Sequence, residues 1–158
     1  MLRRYVPVVR RRVGVVVLGL MTGIFSASAV HAQDAPKNPY IFAGDGALLL
    51  NFIKADKTAD YEMIVGKLKE ALQKSDKPER KQQAASWKVF KSPDPAAGGN
   101  VLYVFLIDPA VKDADYTVSN VLAEVYKPEE LNVIYKQYAE SYAQGQNIIN
   151  LNLTIDFK

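Results

Sequence analysis

Two stretches of this chain, residues 47–54 (ALLLNFIK) and 101–107 (VLYVFLI), are apolar at successive positions rather than at alternate ones. Successive side chains of a strand point to opposite faces, so such runs need cover on both sides and belong in the interior of a sheet. Two other stretches alternate. Residues 84–90 (AASWKVF) put Ala85, Trp87 and Val89 on one face and Ser86 and Lys88 on the other. Residues 148–157 put Ile149, Leu151, Leu153, Ile155 and Phe157 on one face and Asn150, Asn152, Thr154 and Asp156 on the other. Half-polar strands suit sheet edges. Residues 92–100 (SPDPAAGGN) hold two prolines and two glycines and read as a turn, which makes 84–90 and 101–107 an antiparallel hairpin.

Helical periodicity fills the gaps. Tyr61, Ile64, Val65, Leu68 and Leu72 form one apolar stripe, with Thr58 as the expected N-cap and Asp60 and Glu62 in the first turn. Pro78 should end this helix at the latest. A short stripe follows in 116–126 (Val118, Val121, Leu122, Val125). A second long helix opens at Pro128, carries Leu131, Ile134, Tyr135, Tyr138 and Tyr142 on one face, and meets a natural stop at Gly145. The expected fold is α+β. Its order is the split arrangement of a ferredoxin-like βαββαβ antiparallel sheet, with helices on one face and one extra short helix. Two long helices cover one sheet face only. The other would present apolar side chains to water, which is unusual for a monomer, so a face-to-face homodimer is the expected cover.

Residues 1–32 carry Arg3, Arg4, Arg10, Arg11 and Arg12 with no acidic residue, then an apolar run over 13–25 and the small-residue segment SASAVHA. These are the three parts of a signal peptide, and Val30 and Ala32 suit the peptidase subsites, so cleavage is expected between Ala32 and Gln33. An uncleaved anchor over 13–30 is the competing reading, weakened by Thr22, Ser26 and Ser28. The remaining organisation is a flexible lead over 33–39 and a single domain over 40–158. The location is periplasmic or extracellular, with no membrane attachment once the signal is gone.

Removal of five arginines from the 20 basic residues leaves 15 against 17 acidic ones, so the basic pI of about 9.0 is a property of the signal. Of those 15 only Arg80 is arginine. Nothing here suits nucleic acid, which needs a basic patch. The chain has no cysteine, and its only histidine, His31, leaves with the signal. Thiol nucleophiles, histidine bases and histidine-bound metals are thereby removed, and no catalytic residue, metal site or cofactor is expected. Asp108, Asp113 and Asp115 lie in the loop DPAVKDAD, but without the glycine and distal glutamate of a calcium loop they read as a solvated acidic segment.

The element order and the two-sided apolar strands resemble the dimeric α/β-barrel superfamily, which includes antibiotic-biosynthesis-type monooxygenases. The segment KQQAASWKVF is also similar to exported bacterial proteins without a characterised activity. Haem-degrading members of the superfamily use an asparagine, a tryptophan and a histidine; this chain has Asn51 and Trp87 but no histidine, and Trp87 falls on the second strand rather than the third. The candidate ligand-binding residues are Asn51, Trp87, Tyr103, Tyr135 and Tyr138, with Tyr142 beside them, lining a cleft for a small apolar or aromatic ligand. Asn51 is singled out because an amide inside an apolar run must line a pocket or be bonded within the core. Two functions follow. One is a non-enzymatic homodimeric module that binds a ligand or a partner. The other, implied by the resemblance, is a cofactor-independent monooxygenase or isomerase acting on an aromatic or quinone-like molecule.

Overall fold

The first apolar run forms β1 (Gly46–Ile53), and its alternate residues meet two different surroundings. Ala47, Leu49, Asn51 and Ile53 are fully buried, while Leu48, Leu50 and Phe52 are only half-buried. The computed structural model describes residues 37–157, all within one compact unit. The signal segment, its cleavage site at Ala32 and Gln33, and residues 33–36 of the expected lead lie outside the described residues.

After β1 come a single 3₁₀ turn, α1 (Thr58–Lys74), α2 (Pro78–Ser86) and β2 (Trp87–Pro95). A tight reversal leads to β3 (Val101–Ile107), then α3 (Val118–Ala123), α4 (Pro128–Ser141) and β4 (Asn147–Leu151). The fold is α+β, with a four-stranded sheet in the order β2-β3-β1-β4 and every pairing antiparallel. The two continuously apolar strands are the interior ones. Leu50 pairs with Val104 and Asn51 with Tyr103, so buried residues of β1 and β3 share a face. Helices α1 and α4 cover that face through Tyr61, Ile64, Leu68, Leu72 and Ile134, all buried. The Tyr61 ring lies 4.8 Å from Tyr103 and is stacked at 5.9 Å on Tyr138 of α4. Gly46 is required where β1 begins, because a Cβ there would come within 2.7 Å of the Ile107 carbonyl oxygen.

Several boundaries differ from the sequence reading. Pro78 starts a helix rather than only ending one. It occupies the first turn of α2 with Glu79 beside it, as the proline ring and the helix dipole favour. Residues 84–86 are therefore helical, β2 begins at Trp87, and the described residues hold two short α-helices instead of one. The second strand then runs through the proline-rich stretch to Pro95. The ladder shifts register between Lys91 and Pro95, which an edge strand tolerates. The reversal shrinks to a few residues around Gly98 and Gly99, whose φ angles of 73° and 74° favour glycine. Thr58 is the first residue of α1 and not its cap, since the 3₁₀ turn runs directly into the helix. Helix α4 stops at Ser141, before Gly145, because the chain there turns onto the end of β1: Ala143 N donates to Phe52 O at 2.9 Å.

The last strand ends at Leu151, not Phe157. Its partner β1 begins at Gly46, opposite Leu151, so no ladder remains for the following residues. Ile149 faces the same side as Leu48, opposite it on β1, whereas Ile148 packs against the helix-covered core. Beyond the strand, Leu153, Ile155 and Phe157 are 70%, 65% and 96% exposed.

Candidate functional site

A cleft of about 480 Å³ runs between α1 and β2. It exists because β2 lies at the sheet edge, beyond the cover of α1 and α4. Val89 pairs with the buried Phe105, yet it is 39% exposed. One wall is a stripe of α1 with Glu62, Val65, Gly66, Lys69, Leu72 and Gln73 on it; the other is Trp87 and Val89, with Ala84 of α2 at one end. At the opposite end Lys91 of β2 reaches Glu62 of α1 at 2.9 Å, bridging the two walls. The Tyr103 hydroxyl donates to the same Glu62 carboxylate at 2.6 Å, and these two bonds hold that carboxyl below its usual range. The volume falls in the range of small-molecule sites, and the lining is apolar with a few polar groups at the rim.

The expected ligand residues do not form one site. Trp87 is in the cleft wall, its ring 5.5 Å from Phe105 and 5.4 Å from Tyr116, and its indole Nε1 is buried with no acceptor. Tyr103 meets the cleft's end through Glu62 and through Lys91, whose Nζ lies 5.6 Å from its ring. Tyr135 lies elsewhere: its hydroxyl donates to Ser119 O at 2.7 Å and ties α4 to α3. Asn51 and Tyr138 meet in a third place, the buried seam between β1 and α4.

Asn51 is fully buried and its amide is saturated. Nδ2 donates to the carbonyl oxygens of Leu49 at 3.1 Å and Tyr103 at 3.2 Å, and Oδ1 accepts from the Tyr142 hydroxyl at 2.8 Å and from Gln146 Nε2. The Tyr142 and Tyr138 hydroxyls are 2.7 Å apart. Burial is the main cause that pushes both phenols well above their ordinary pKa, so they keep their protons through the neutral range. The seam is a closed set of hydrogen bonds that fastens α4 to the sheet.

A second buried polar group lies between α2, α3 and the loop before α3. Arg80 is only 4% exposed, and its guanidinium donates to both Glu124 carboxylate oxygens, to Gln83 Oε1 at 2.6 Å and to Asp115 O. Ser75 and Lys77 also donate to Glu124. The Asp115 carboxylate, part of the acidic loop, accepts from Asn38, Thr117 and Asn120. No group of three or more potential metal-ligating side chains occurs among the described residues, and no described helix is long and apolar enough to cross a membrane.

The sequence reading missed the cleft because its walls come from α1 and from a strand whose edge position only the sheet defines. The signal that could have found it is Gly66, an isolated glycine in the middle of an otherwise regular helical stripe. The cleft and the open sheet define a small α+β protein with a partly uncovered hydrophobic sheet. Comparison with protein-family models, curated proteins and solved structures finds no match to this chain.

Proposed function

We propose that this chain is an exported, non-enzymatic module that works as a face-to-face homodimer of ferredoxin-like subunits and binds a small ligand or a partner. The observation that carries this reading is the sheet face turned away from the helices. Leu48, Leu50, Phe52, Leu102, Val104 and Leu106 lie on it half-buried, and Phe90 and Ile149 on the flanking strands are 51% and 42% exposed. A contiguous apolar patch of this kind is unusual on a monomer and marks an interaction surface. A second copy of the same face is apolar in the same places. The antiparallel order β2-β3-β1-β4, with its hairpin between the interior and edge strands, supports the ferredoxin-like description.

A non-enzymatic role is supported by the seam around Asn51. The oxygenase or isomerase reading asks that amide to face a reaction cavity, but its bonds are filled by Leu49, Tyr103, Tyr142 and Gln146.

Light scattering on the processed protein should give twice the monomer mass. Val104→Glu, which puts a charge at the centre of the open face and leaves the helix-side core alone, should weaken association by at least about 100-fold. A wild-type monomer at high micromolar concentration, or a Val104→Glu dimer of undiminished affinity, would reject the dimer. Export has its own check: N-terminal sequencing of protein made in a bacterial host should begin at Gln33, and full-length chain confined to the membrane pellet would overturn it.

A further inference from the structure

The α1–β2 cleft lies on the helix side of the sheet, so it stays open when the other face is covered. We infer that it takes a free amphipathic monocarboxylate, an apolar chain or ring ending in one anionic group. This deepens the ligand-binding part of the proposed function and is independent of the dimer.

Two observations converge on that chemistry. The first is Gly66. A glycine inside a helix is destabilising relative to alanine by roughly 0.5–1 kcal/mol, and close packing is the usual structural reason to keep one. None applies at this position: a Cβ on Gly66 would meet no atom within 4 Å. What the missing side chain provides is room in the cleft. The second is charge. Of the ionic groups on the rim, Glu62 is already neutralised by Lys91, whereas Lys69 makes no ion pair or hydrogen bond with any described residue. Gln73, one turn further along α1, is likewise unbonded. The vacant polar end therefore offers a cation and an amide, which favour a carboxylate and disfavour a second cation.

The stripe from Glu62 to Gln73 spans about 16 Å at 1.5 Å per helical residue, so an extended chain of a dozen carbons matches its length. The Lys91–Glu62 bridge stops the groove at one end and α2 at the other, which suits a single molecule of limited length rather than a bilayer surface.

Trp87 is the only tryptophan in the chain and forms part of the cleft wall, so its emission responds to a molecule bound there. Dodecanoate added to the purified processed protein should change that emission saturably below about 1 mM, the weak end of specific affinities. Dodecyltrimethylammonium, with the same chain and the opposite charge, should bind at least about tenfold more weakly. Lys69→Glu should weaken dodecanoate about tenfold with an unchanged thermal unfolding curve. Gly66→Phe, whose side chain enters open space, should abolish the response while the protein stays folded. If Gly66→Phe does not fold, the Lys69→Glu and opposite-charge comparisons still decide the matter. No saturable response, equal affinity for the two head groups, or full binding by Gly66→Phe would each overturn the inference. Light scattering on the same samples tells a failed ligand proposal from a failed dimer.

Discussion

Arg80→Ala should cost the fold about 3–5 kcal/mol at neutral pH, the range for removing one member of a buried ion pair. The reason lies in what the guanidinium leaves behind. Glu124 would keep only Ser75 and Lys77, with its side chain 16% exposed, and the buried Gln83 would lose the donor to its Oε1. The cost should appear as a lower denaturant midpoint with an unchanged slope. Arg80→Lys should fall between, since an ammonium keeps the charge but not the forked geometry that reaches Glu124, Gln83 and Asp115 together.

The same pair sets the acid sensitivity. Hydrogen bonds from Arg80, ahead of those from Lys77 and Ser75, lower the Glu124 pKa from 4.5 to about 2. A carboxyl with a depressed folded-state pKa stabilises fully above its unfolded value and loses that contribution as pH falls toward the folded one. Wild-type protein should therefore lose on the order of 3 kcal/mol from this group between about pH 4.5 and pH 2. In Arg80→Ala that part of the acid dependence should be much flatter. Equal slopes for the two proteins in urea titrations across this window would show that the pair is not what holds the group ionised.

Asn51→Asp should destabilise by about 3–5 kcal/mol at pH 7, the loss expected when a buried charge lacks its partner. The substitution is nearly isosteric, so packing is preserved and only the chemistry changes. Where Nδ2 now donates to the Leu49 and Tyr103 carbonyl oxygens, a carboxylate would set a third oxygen against two others. The acid must then fold protonated, with a pKa raised above the unfolded value of about 3.9. A raised acid loses stability as pH rises from the unfolded pKa to the folded one, so the penalty should shrink steadily on acidification and be smallest below about pH 4. Asn51→Asp tolerated without cost at pH 7 would mean that the amide faces water, and the reading of this seam as a structural fastening would fall.

Much of the fold was legible because hydrophobic period is a local property. The apolar stripes of α1 and α4 appear where the 3.6-residue spacing put them, and the doubly apolar runs are the two interior strands. Local pattern shows what Pro78 forbids in the preceding helix, while its role as a favoured first residue of α2 goes with Arg80 finding Glu124 and Gln83 finding the Asp115 carbonyl oxygen, both far away in the chain. Likewise, the alternation read over 148–157 holds only as far as Leu151, since where pairing stops is decided by where β1 begins.

The candidate residues divide along the same line. Asn51 was recognisable as anomalous from its neighbours alone, because an amide among leucines must find partners. Which partners it found required α4 to bring Tyr142 and the following loop to bring Gln146 to the same point. Tyr103, Tyr135 and Tyr138 carry the same chemistry in the sequence, yet their hydroxyls meet Glu62, the Ser119 carbonyl oxygen and the Tyr142 hydroxyl, since a phenol's partners depend on the helix or strand packed against it. Residue order thus settled the periodicity of α1, α4 and the two interior strands, the interior or edge character of each strand, and the absence of thiols and, in the described domain, of imidazoles. Tertiary structure alone decided that an edge strand would outrun its helical cover. The α1–β2 cleft is the space left by that mismatch, and no local pattern of residues encodes the distance between two elements that meet only on folding.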